Sequence, residues 1–77
     1  MTVKPDFASE KDRHEWVISH AEYFSTVVFM GRGRYERIEW PTLEMAERAA
    51  QTLSKALGKK IMIYAVAGTS DALVKVV

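Results

Sequence analysis

The stretch from Tyr35 to Val66 constrains the fold of this chain more than any other. A short strand, one amphipathic helix and a second strand follow each other there without slack. Ala46, Ala49, Ala50, Leu53 and Leu57 recur at helical spacing, so one face of the middle piece is apolar. Thr42 offers a side-chain oxygen to the first turn, and Glu44 and Glu47 lie near the positive end of the helix. Gly58 suits the left-handed position that closes a helix. The spacing therefore predicts a helix from Thr42 to Leu57, held between Pro41 and Gly58.

Two other stretches read as buried strands. Tyr23 to Met30 is β-branched and aromatic. Val27 and Phe29 fall on one side of it, and Phe24, Val28 and Met30 on the other. Ile61 to Ala67 is likewise apolar on both parities. Such strands belong inside a sheet with both faces covered. Arg34 to Trp40 alternates with many charges, as an edge strand does. Gly31-Arg32-Gly33 supplies the hairpin turn between the first two strands, because glycine accepts positive φ. Gly68-Thr69-Ser70-Asp71 is the second turn, and Ala72 to Val77 the last strand, with Lys75 marking its exposed side.

The N-terminal part is less decided. Residues 1–8 read as a disordered tail, and 9–77 as a single α+β domain. Ser9-Glu10-Lys11-Asp12 has capping-box spacing, with Asp in place of the usual Glu or Gln. It predicts a helix from Glu10 to Ser19 or Ala21, with an extended Glu15 to Ser19 as the alternative.

The element order is then α-β-β-α-β-β. If the first and third strands are central, a four-stranded antiparallel sheet of order 2-1-3-4 follows. The Thr42–Leu57 helix packs on one face as a right-handed crossover. The second face must be covered by the N-terminal helix, a second copy of the chain, or a ligand.

The bulk properties exclude several classes. At 77 residues the chain is one small domain with a narrow stability margin, so an oligomer interface would help it. It is 48% hydrophobic and 27% charged, too apolar for a disordered chain and too charged for a membrane one. A net charge of +1 does not by itself call for nucleic acid. The absence of cysteine removes a disulfide framework, a thiolate metal site and a Cys nucleophile, and suits a cytoplasmic location. Met1 to Asp6 has no apolar core and does not read as a signal peptide.

Motifs for catalysis fail on inspection. Gly31-Arg32-Gly33-Arg34-Tyr35-Glu36 begins like a dinucleotide fingerprint, but Glu36 stands at the sixth position and the stretch joins two strands. His14-Glu15-Trp16-Val17-Ile18 begins like a zinc-protease helix, but Ile18 replaces the second histidine. His14 and His20 do not share a helix face, and Ser19 and His20 are helix neighbours that should diverge. Glu36 and Glu39 lie on opposite sides of a strand. No catalytic residue, metal site or cofactor is expected.

One constellation survives. Strand direction places the Gly31–Arg34 turn at the same end of the sheet as the C-terminus of the central helix. Arg32, Arg34, Lys55, Lys59 and Lys60 converge there, with Glu44, Glu47, Asp71 and Glu22 at the other end. Lysine at a helix C-terminus and glutamate at its start also simply complement the helix dipole. The functional reading is a phosphate-binding end, for nucleic acid or a small anion. Tyr23, Phe24, Tyr35, Trp40 and Tyr64 raise the further option of a base-stacking face, although the Gly–aromatic signature of sheet-binding RNA modules is missing. Core or dimer-interface roles are the simpler reading of these rings.

The run Tyr35-Glu36-Arg37 to Trp40-Pro41-Thr42-Leu43, the Ala-rich helix and Ile61-Met62-Ile63-Tyr64-Ala65-Val66 resemble small single-domain alphaproteobacterial proteins of unknown function. The resemblance covers roughly the last two-thirds of the chain. It implies a stand-alone bacterial domain and brings no activity, ligand or catalytic residue with it. The sequence thus points to a non-enzymatic binding or assembly module with a homo-oligomer or protein partner, and secondly to nucleic-acid or anion binding at the basic end.

Overall fold

The computed structural model describes residues 7–77; residues 1–6 of the expected tail lie outside them. The order is α1 (Glu10–Ser19), β1 (Tyr23–Gly31), β2 (Arg34–Trp40), α2 (Leu43–Leu57), β3 (Met62–Ala67) and β4 (Ser70–Val76). The four strands form one antiparallel sheet, β2-β1-β3-β4, as the sequence implies.

Local chemistry sets the element ends. The Thr42 hydroxyl accepts from the Met45 N–H at 3.2 Å and starts α2. Gly58 ends it with φ 63°, its N–H donating to the Ser54 carbonyl at 2.9 Å. Ser9 caps α1 in the same way, accepting from the Asp12 N–H at 3.2 Å. That cap settles residues 15–19 as helix rather than strand. The β1–β2 hairpin turns on Arg32 and Gly33, at φ 53° and 73°. Both central residues are thus left-handed, as tight hairpin turns require.

Packing matches small to large. Ala46 and Ala50 of α2 are fully buried over Ile61, Ile63 and Val28. Their methyl groups let the helix come close to the bulky strand residues. α1 inverts the arrangement. Its Val17, with Trp16 and Ile18, sits on a floor of Ala65, Ala67 and Ala72. Arg13 donates to the Asp71 carbonyl at 2.8 Å, and a ring nitrogen of His14 meets the Leu73 carbonyl, so α1 is also tied to β4 through polar contacts. Phe7 extends this cluster by packing on Trp16, ring centroids 5.7 Å apart.

The two helices lie on the same face of the sheet. Ile61 and Ile63 under α2 and Ala65 and Ala67 under α1 share one parity of the chain. The N-terminal helix therefore does not cover the second face, and one of the three expected covers is removed. The alanine floor on β3 and β4 is the cause, since it gives α1 a seat beside α2.

Lys75 is exposed, as expected, but on the helix side of the sheet. The β3–β4 register breaks between Ile63 and Tyr64, so Lys75 stands opposite Ile63 and Leu73 opposite Tyr64. Lys75 thereby falls on the helix side and meets Glu47 of α2 at 3.8 Å.

Among the described residues, no buried side-chain nitrogen or oxygen lacks a partner. Thr26, 2% exposed beneath the helices, accepts from Trp40 Nε1 at 3.1 Å. Trp40→Phe should leave that hydroxyl without its donor and cost about 1–3 kcal/mol in urea unfolding. Adding Thr26→Val should recover part of the loss; no recovery would mean that lost ring volume explains the whole effect. Gly58→Ala meets open space within 4 Å, so its cost should be backbone strain alone, about 1 kcal/mol in the same measurement.

Candidate interaction surfaces

Three surfaces follow from this arrangement. The first is the sheet face away from both helices. Alternation places Tyr23, Ser25, Val27 and Phe29 of β1 there, flanked by Tyr35, Arg37 and Glu39 of β2. Met62, Tyr64 and Val66 of β3 and Asp71, Leu73 and Val76 of β4 complete it. No described helix lies over it, yet Ser25 is fully buried and Val27 and Val66 nearly so. Long side chains lie flat on the strands instead. The Arg37 Nε donates to the Ser25 hydroxyl at 3.0 Å, and the guanidinium continues to within 3.9 Å of the Asp71 carboxylate on β4. The Tyr64 hydroxyl donates to the Met62 sulfur at 3.8 Å. This accounts for central strands that are apolar on both parities with a helical layer on only one side. At the margins the shielding fails: Phe29, Tyr35, Leu73 and Val76 remain well exposed.

The second surface is the basic end. The Lys59 ammonium donates to the Phe29 carbonyl at 3.1 Å, which fixes the chain after α2 beside the β1–β2 hairpin. Strand direction thus brings the end of α2 to the turn, as read from the sequence. Arg32, Arg34, Lys55 and Lys60 are exposed and form no ion pair with a described residue. The exposed rings of Phe29 and Tyr35 pair at 5.1 Å beside this cluster. Sequence reasoning did not join these two rings, because the pairing depends on hairpin register.

The acidic residues behave differently. Glu44 meets Arg48 at 2.8 Å, Glu47 meets Lys75, and Asp71 meets Arg37. Glu22 accepts from the Gly68 N–H at 2.7 Å. The carboxylates expected at the far end are therefore engaged within the chain. The cations of the basic end have no carboxylate partner among the described residues, and Lys59 alone is engaged, by the Phe29 carbonyl.

The third surface is a cleft of about 510 Å³ between α2 and the edge strand β2. Ile38, Trp40, Met45, Ala49 and Leu53 line it, with Arg48 and Thr52 at its polar side. Nothing in the sequence periodicity announces this cleft. It arises because α2 lies mainly over β1 and β3 and leaves the Ile38 side of β2 half uncovered.

The histidines form no shared site. Ser19 and His20 do meet, contrary to the divergence expected of helix neighbours, with 3.0 Å between the hydroxyl and Nδ1. The reason is that His20 has left the helix as its C-cap, with φ −110° and ψ 16°. Its ring stacks on Trp16 at 4.5 Å, and both Oγ and Nδ1 turn to the Trp16 carbonyl. This trio closes the end of α1. Among the described residues, no group of three or more His, Asp or Glu side chains is placed to hold a metal ion. No described helix is long and apolar enough to cross a membrane.

No protein-family model matches this chain, and neither a curated protein nor a solved structure shows significant similarity to it.

Proposed function

We propose that this protein is a non-enzymatic binding or assembly module that self-associates. The observation that carries this reading is the one-sided helical layer. Both helices cover one face, and the opposite face carries exposed Phe29, Tyr35, Leu73 and Val76 at its margins. Exposed apolar residues of this kind, and separately the half-open apolar cleft on the helix side, favour a protein contact. The small size of the domain adds a motive, since burying further surface widens a narrow stability margin. Sedimentation equilibrium should give a mass above that of one chain at high micromolar concentration. A monomer throughout that range would overturn self-association.

A second reading, nucleic-acid or anion binding, is favoured by the basic end. Arg32 and Arg34 offer planar forks suited to phosphate, with Lys55, Lys59 and Lys60 alongside. The Phe29–Tyr35 pair offers ring faces to unpaired bases. Labelled single-stranded DNA or RNA should then bind with an affinity that falls steeply as salt rises. Arg32→Ala with Arg34→Ala should weaken it and flatten the salt slope by up to about 1.4, taking roughly 0.7 for each lost phosphate contact on a single strand. Unmoved amide signals at Gly31–Arg34 and at Lys59 and Lys60 during the titration would exclude this reading.

A further inference from the structure

We propose that two copies of this chain join edge to edge through β2, antiparallel about a two-fold axis at Ile38, into one eight-stranded sheet. The proposal rests on the self-association reading but places the contact at the β2 edge and the α2–β2 cleft, not on the open sheet face. β2 is one edge of the sheet, and its outer side has no strand partner among the described residues. The other edge is less suited to regular pairing, because β4 carries the register break that sets Lys75 opposite Ile63.

Symmetry then limits the register. Two identical strands that pair antiparallel in one sheet are related by a two-fold axis normal to it. Residues directly opposite each other must share a face, so the axis passes through a residue and not between two. An axis at Glu36, Arg37 or Glu39 would set each of these charges against its own copy, which is destabilising. An axis at Tyr35 would pair only residues 34–36 and leave Ile38 uncovered. An axis at Ile38 sets Ile38 against Ile38, Arg37 against Glu39 and Glu39 against Arg37. It also brings Glu36 opposite Trp40 of the second copy, towards the Arg48 that lines the cleft there.

The charges of β2 therefore have a double reading. Charge on an edge strand usually repels other strands. Here the signs are arranged about Ile38 so that this one register is complementary. Glu39 has no ion-pair partner among the described residues, and Arg37 holds Asp71 only at 3.9 Å with both side chains about half exposed. The guanidinium can keep its Ser25 bond through Nε and turn its outer nitrogens to Glu39 of the second copy.

The cleft supplies independent support. Ile38 and Met45 are both 44% exposed and both line it. Pairing at Ile38 places the two clefts side by side on the same face of the joined sheet, where their apolar walls close on each other. A free monomer leaves these walls in water.

The test uses charge reversal and mixing. Glu39→Arg alone sets Arg37 against arginine twice, and Arg37→Glu alone sets Glu39 against glutamate twice. Each variant should dimerise at least about tenfold more weakly than the parent chain, since two cross-strand pairs turn from attraction to repulsion. Mixed in equal amounts, the two variants should form a heterodimer. Both β2 charges flanking Ile38 are then positive in one chain and negative in the other, so each cross-strand pair is again of opposite sign. Sedimentation and amide spectra of each variant alone would report mass and folding. The outward-facing backbone amides of β2, which do not bond β1, should be protected from exchange in the mixture and in the parent dimer but in neither variant alone. Leu73→Glu, on the open face, serves as a second variant and should leave the parent dimer intact. A dimer that survives Glu39→Arg but is lost in Leu73→Glu would overturn edge pairing while keeping self-association through the open face. A parent chain that stays monomeric would overturn both.

Discussion

The close seating of α2 on β1 and β3 is the contact on which the rest of the molecule depends. Ala46 and Ala50 have no exposed surface, and the side chains beneath them are Ile61, Ile63 and Val28. Small residues on the helix let its axis approach; large ones on the strands fill the space below. Enlarging either alanine would lift the helix from the sheet rather than fill a gap, as overpacking does in dense cores. The consequence reaches beyond the core. Because α2 is fixed over the central strands, its C-terminus arrives at the β1–β2 hairpin and its side leaves Ile38 half open. The basic end and the cleft are both by-products of that one placement.

Much of this was legible in the sequence, and the reasons are local. The Thr42 cap, the alanine spacing and Gly58 each specify the helix within a few residues of where they act. Doubly apolar strands and a charged one assigned the interior and edge positions, hence the order 2-1-3-4. The convergence of Arg32, Arg34 and Lys59 needed only strand direction. What sequence could not supply were the quantities that depend on two distant segments meeting. The side of the sheet taken by α1 was decided by three alanines from β3 and β4, whose smallness means little until they are side by side. The shift that turns Lys75 towards Glu47 lies in the pairing of two strands and leaves no mark on either alone. The cleft is a gap between elements, and periodicity describes only what each element does with itself.

Charge is distributed unevenly over the surface. The carboxylates at the end of the sheet opposite the hairpin, Glu44, Glu47, Asp71 and Glu22, are matched inside the chain by Arg48, Lys75, Arg37 and the Gly68 N–H. Such exposed pairs add little to stability. Their effect is to leave the hairpin end as the chief concentration of unmatched charge in a chain whose net charge is only +1. Arg37 shows how one residue can serve packing as well. Its aliphatic stem covers Ser25, which stays buried on a face that has no helical layer.

The two helices share a face yet make no backbone approach to each other. Each is bound to its own part of the sheet, and the link between their clusters runs through Phe24 and Val74, which touch both. The molecule is therefore divided along its length into two units of unequal cohesion. One comprises α2 with β1, β2 and the start of β3. The other comprises α1 with the β3–β4 hairpin, held by a single fully buried helix side chain, Val17, and by contacts to the backbone carbonyls of Asp71 and Leu73. Partial opening follows that seam: α1 can leave its alanine floor while the larger unit keeps its core, so the global unfolding free energy overstates what holds α1 in place.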